Sequence, residues 1–98
     1  MGNTRKGRDI DAALRRKGFR RDMGGKHIQF VLQTLDGRDT DIVTVMSHGM
    51  MGQSLSTDLI SRMARQLRLT KRQFLELIDC TMAEERYREI LREKDKAA

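Results

Sequence analysis

The sequence predicts an α+β domain with helices on one face of a small three-stranded antiparallel sheet. Three observations carry that reading. An amphipathic stretch of helical spacing opens the chain, three short runs with strand character follow around glycine turns, and helical spacing then returns to the end. Residues 8–17 place Ile10, Ala13 and Leu14 at i, i+3, i+4, with Asp9 and Asp11 in the first turn and Gly18 after the last. Residues 19–22 form a first short strand, and Met23, Gly24, Gly25 and Lys26 make the turn of a hairpin. Residues 27–35 alternate, with Ile28, Phe30 and Leu32 on one face and His27, Gln29 and Gln33 on the other. Asp36-Gly37 signals the next turn, and residues 40–47 complete the meander with Ile42, Val43 and Val45.

Residues 49–52 read as a loop exposing Met50 and Met51. A helix then runs from Ser56 or Thr57 to Leu67 on a stripe of Leu59, Ile60, Met63 and Leu67. Thr70 and Gln73 fit a capping box opening a helix with Phe74, Leu77 and Ile78 inward. Thr81 and Glu84 fit a second box, opening a last helix with Tyr87, Ile90 and Leu91, and residues 94–98 fray. The expected division is a flexible basic arm at 1–8, a core at 9–69 and a helical extension at 70–94 packed on or beside the core.

At 98 residues the chain fits one compact domain. No apolar run approaches the ~18–20 residues of a membrane span, and the polar N-terminus lacks a signal-peptide core. Gly2 is not followed by the serine or threonine of a myristoylation signal. The single Cys80 leaves no intrachain disulfide framework and no cysteine-based zinc site, and reads as a packed thiol. A cytoplasmic basic domain, without membrane, metal or cofactor, is the expectation.

The net charge of +6 is localised. Residues 5–26 hold nine basic side chains against Asp9, Asp11 and Asp22, whereas residues 27–98 carry eleven of each sign. A second basic block (Arg62, Arg65, Arg68, Lys71 and Arg72) meets no acid between Leu59 and Leu75. Clustered positive charge attracts polyphosphate through counterion release and steering. Of the two histidines, His27 begins the second strand beside a glycine turn and His48 ends the third. Imidazole is matched to proton transfer near neutral pH, and beside a basic surface it can take a proton from a ribose 2′-hydroxyl while the cations stabilise the phosphate.

Residues 10–69 resemble the HicA family of messenger-RNA interferase toxins. Gly24-Gly25-Lys26-His27 with Phe30 stands where the family has Gly-Ser-x-His, after a Lys17-Gly18-Phe19 turn. Residues 44–48, Thr-Val-Met-Ser-His, look like its Thr-Val-Pro-x-His strand end, and residues 65–69 like the close of its final helix. Gly25 replaces the serine, Met46 and Gly49 replace prolines, and the extension from Thr70 has no counterpart. The resemblance implies an α-β-β-β-α core like the double-stranded-RNA-binding domain, with one or two extra C-terminal helices. It implies His27 as the general acid/base of an endoribonuclease leaving a 2′,3′-cyclic phosphate, and a HicB-like antitoxin as partner. Lys17, Arg20, Arg21, Gly25, Lys26, Gln29 and His48 are the expected RNA-binding residues.

Two other readings remain open at this point. The same scaffold can bind structured RNA by shape without cutting it. Residues 59–78 read as helix, turn, helix with Arg62, Arg65, Lys71 and Arg72 outward, compatible with a DNA-binding helix-turn-helix that lacks the usual turn glycine. The last helix can either cover its own core or form a homodimer seam through Tyr87, Ile90 and Leu91.

Overall fold

The structure is a computed structural model that describes residues 4–97, with side chains through Lys94. Residues 1–3 of the basic arm, Gly2 among them, and Ala98 of the tail lie outside the described residues. The elements are β1 (Arg5–Lys6), α1 (Gly7–Arg16), β2 (Phe19–Asp22), β3 (His27–Gln33), β4 (Asp39–Ser47), a 3-10 turn (His48–Gly52), β5 (Ser54–Leu55), α2 (Thr57–Gln66), α3 (Lys71–Ile78) and α4 (Glu84–Ala97). The α+β class and the α-β-β-β-α order followed by two further helices are those expected.

Strands β2, β3 and β4 form an antiparallel meander. Its register sets Phe19 opposite Leu32, Phe30 opposite Thr44, and His27 opposite Ser47. Because side chains alternate across a strand, Phe19, Ile28, Phe30, Leu32, Ile42 and Met46 all face the helices and are buried. The other face carries the rows Arg20–Val31–Val43 and Asp22–Gln29–Val45. Helix α1 packs by β2, α2 packs by β4, and α3 touches both helices.

The ends of the helices follow from short-range chemistry. Gly18 adopts φ +97°, the left-handed conformation that ends α1. Ser56 caps α2 by accepting from Leu59 N, and Thr70 and Gln73 make the reciprocal capping box that opens α3. Between α2 and α3 the left-handed position expected of glycine is taken by Arg68, at φ 67°. The second box is not formed: Thr81 Oγ1 instead donates to Glu76 O at 3.2 Å and closes the end of α3.

Several other expectations change. The arm expected to be flexible is paired from Arg5, with Arg5 opposite Leu55 and Lys6 opposite Ser54. Arg5 also donates to both carboxylate oxygens of Asp79, at 2.8 and 2.6 Å, fastening the arm to the end of α3. Met50 and Met51 are not exposed; they sit half-buried against the core in the 3-10 turn. Cys80 is exposed, with φ 65°. Helix α4 continues to Ala97.

The extension is part of the same core. Tyr87 is fully buried and stacks on Phe19 with ring centroids 6.0 Å apart. Its hydroxyl donates to Leu67 O at 3.0 Å, and burial pushes that phenol far above its usual range. Ile90 is buried beside it, so two of the three residues considered for a dimer seam cover their own core, and Leu91 is half-buried. The radius of gyration, 12.8 Å, is that of a compact domain of this length, about 13 Å.

Candidate nucleic-acid interface

The Gly24-Gly25 turn and the β4 end bring the two histidines to one end of the sheet, away from α4. His48 Nε2 lies 3.0 Å from Gly25 O and so carries the proton that it donates there. That bond ties the glycine turn to the start of the 3-10 turn. Asp22 accepts from Gly24 N at 2.9 Å and closes the turn from its other side. A Cβ at Gly25 would meet nothing nearer than His27 O at 3.9 Å, so there is room for the serine of the family motif.

The His27 ring is exposed and makes no hydrogen bond among the described residues. It stands on the rim of a cavity of about 230 Å³, between the ends of β3 and β4 and the start of α2. The polar members of the lining are His27, Ser47 and Arg62; Val45, Met46, Met50, Leu55, Leu59 and Met63 supply the rest. None of these nine side chains is acidic. Arg62 is exposed on α2 and has no ion-pair partner among the described residues. Arg65, three residues on, lies on the same side of the helix and is likewise exposed and unpaired.

The 3-10 turn that carries Met50 is fixed from behind by α1. Gly7 N donates to Gln53 O at 2.9 Å, and a Cβ at Gly7 would fall 2.1 Å from Met50 O. Only glycine permits this approach. No spacing or motif in the sequence marks this approach.

The expected RNA-binding residues divide sharply. Among the described residues the exposed Lys26 side chain, in the turn preceding His27, has no ion-pair partner, and the exposed Gln29 side chain on the outer sheet face makes no hydrogen bond. Lys17, by contrast, is 8% exposed and donates through Nζ to Met82 O at 2.6 Å. It is a structural bond between α1 and the α3–α4 connection, not part of a surface. Arg21 donates to both oxygens of buried Asp11, at 3.1 and 3.0 Å, and Arg15 reaches the same carboxylate at 2.9 Å. Arg20 forms a two-pronged pair with Asp39 at 3.1 and 2.8 Å on the outer face. Its donation holds the Asp39 carboxyl below the usual range and raises the guanidinium. Lys17, Arg20 and Arg21 are therefore neutralised or internal, whereas Arg62 and Ser47, absent from the expected site residues, line the cavity.

In the helix-turn-helix stretch, Phe74, Leu77 and Ile78 of α3 are buried, and exposed Arg72 pairs with Glu76 at 3.7 Å. Among the described residues no group of three or more His, Cys, Asp or Glu side chains could hold a metal ion. No helix of the described residues is long and apolar enough to cross a membrane. Compared with family models, curated proteins and solved structures, the chain matches none.

Proposed function

We propose that this protein is an RNA-binding endoribonuclease of the HicA toxin type, acting on messenger RNA in the cytoplasm and held in check by a HicB-like antitoxin. The observation that carries the reading is the His27 ring, without a hydrogen-bond partner among the described residues, on the rim of a cavity whose lining holds Arg62 and no acidic side chain. A free imidazole nitrogen can take the proton of a ribose 2′-hydroxyl. The resulting oxygen attacks the adjacent phosphorus, the bond from phosphorus to the 5′-oxygen breaks, and that oxygen takes a proton from water, whose hydroxide reclaims the proton held by the His27 ring. A 2′,3′-cyclic phosphate and a 5′-hydroxyl remain. Arg62 and Lys26 stabilise the charge that develops on the phosphate oxygens, and His48 acts through Gly25 as a positioning residue.

The test is cleavage of a long unstructured RNA in EDTA at low salt by the protein and by His27→Ala, with fragment ends mapped chemically. Cutting by the wild type alone, with cyclic-phosphate ends, supports the reading. Salt-dependent binding without cutting by either protein replaces it with a non-catalytic RNA-binding module. Duplex DNA binding without RNA binding moves the function to residues 59–78.

A further inference from the structure

We propose that the apolar part of the His27 cavity holds one unpaired nucleobase, next to the phosphate that Arg62 and Lys26 attract; this rests on the RNA-binding reading above. The volume of about 230 Å³ lies below the ~300–1,000 Å³ of drug-sized sites, which suits a single planar ring system. Three methionines, Met46, Met50 and Met63, face it together with Leu55 and Leu59. Thioether sulfur makes favourable contacts with aromatic rings, and the unbranched side chain adapts to different ring shapes. Ser47 is the one hydroxyl in the lining, so the cavity offers few groups with which to distinguish the bases. A base in a duplex is stacked and paired, and extracting it has a cost that a single strand does not bear. The cavity therefore selects single-stranded RNA and tolerates several bases, while the cations outside it hold the backbone.

The occupant is argued from charge and shape together. Arg62 is on the wall, Lys26 is in the neighbouring turn, and the lining contains no carboxylate to repel a phosphate. Met50 and Leu59 are only half-buried, leaving apolar surface that a ring entering from the His27 side covers.

The full chain, labelled with carbon-13 at its methionine methyls, is titrated with a short single-stranded RNA whose 2′-hydroxyls are methylated, so that it binds without being cut. The Met50 and Met63 methyl signals are expected to shift saturably. Moving an abasic nucleotide along the strand is expected to weaken binding about 10-fold or more at one position. Met50→Ala, at a half-buried site, weakens the intact strand several-fold and that abasic strand much less. Binding that leaves both methyls unmoved overturns the base pocket but not the RNA-binding reading. Equal shifts with a duplex of the same sequence overturn the requirement for an unpaired base. Absence of binding to this strand and to unmodified RNA overturns both.

Discussion

The two ends of the sheet use the same kinds of residue in opposite ways. At the end where Phe19 and Tyr87 stack, polar groups find partners inside the protein: Lys17 on Met82 O and the Tyr87 hydroxyl on Leu67 O. At the end where His27 faces Ser47, the ring of His27 and the cations of Lys26 and Arg62 have no partner among the described residues, and an apolar cavity opens between them. Folding consumes the first set and leaves the second for a ligand. A positive charge in the sequence therefore says little about function until its partner is known.

The largest expected contrast comes from one substitution at each end. His27→Ala removes the proposed general base and should lower cleavage ~10²–10⁴-fold with an unchanged melting temperature. Tyr87→Ala should do the reverse. Losing a fully buried aromatic side chain and its bond to Leu67 costs about 3–5 kcal/mol, read by denaturant unfolding, while RNA cleavage by the protein that remains folded persists. If Tyr87→Ala left stability intact, the extension would not belong to the core.

Lys17→Met sharpens the contrast between charges. It leaves the buried Met82 carbonyl without its donor, a loss of about 1–3 kcal/mol in unfolding free energy, and should leave RNA affinity unchanged. Arg62→Ala should leave stability unchanged and lower the slope of log affinity against log salt by about 0.7, the value for one phosphate contact on a single strand.

The smallest effect is expected at the Arg5–Asp79 pair. Donation from Arg5 holds the Asp79 carboxyl below its usual range. A depressed folded value means that this stabilisation is present above the unfolded carboxyl's pKa, about 3.9, and is lost as pH falls through the folded value. The pair is partly exposed, so its contribution is about 0–1 kcal/mol. Acid unfolding of Asp79→Asn should show a slightly shallower loss of stability below pH ~4 than the wild type.

How much was legible follows from which interactions are local. Helix α1, the meander and α2 were readable because their apolar spacings are those of one-sided helices and half-buried strands, and Gly18, Gly37 and Thr70 mark the boundaries. The β1–β5 pair was not: two-residue strands have no period, and their pairing spans the chain from Arg5 to Leu55. Lys17 was misplaced because its acceptor is 65 residues away. His27 was marked by its place after the glycine turn, but Ser47 joins it only through strand register, and Arg62 only through the packing of α2 beside β4. Thr81 fits a capping pattern in sequence, yet the Glu76 carbonyl at the end of α3 captures its hydroxyl.

The most direct test of the difference between the ends is an NMR titration of the backbone amides with single-stranded RNA at low salt. Shifts concentrated at residues 25–29, 46–50 and 59–65, with those around Lys17, Leu67, Met82 and Tyr87 unmoved, are the expected result. Shifts centred on the Lys17 and Tyr87 end, or on α3 with the His27 end silent, would contradict it.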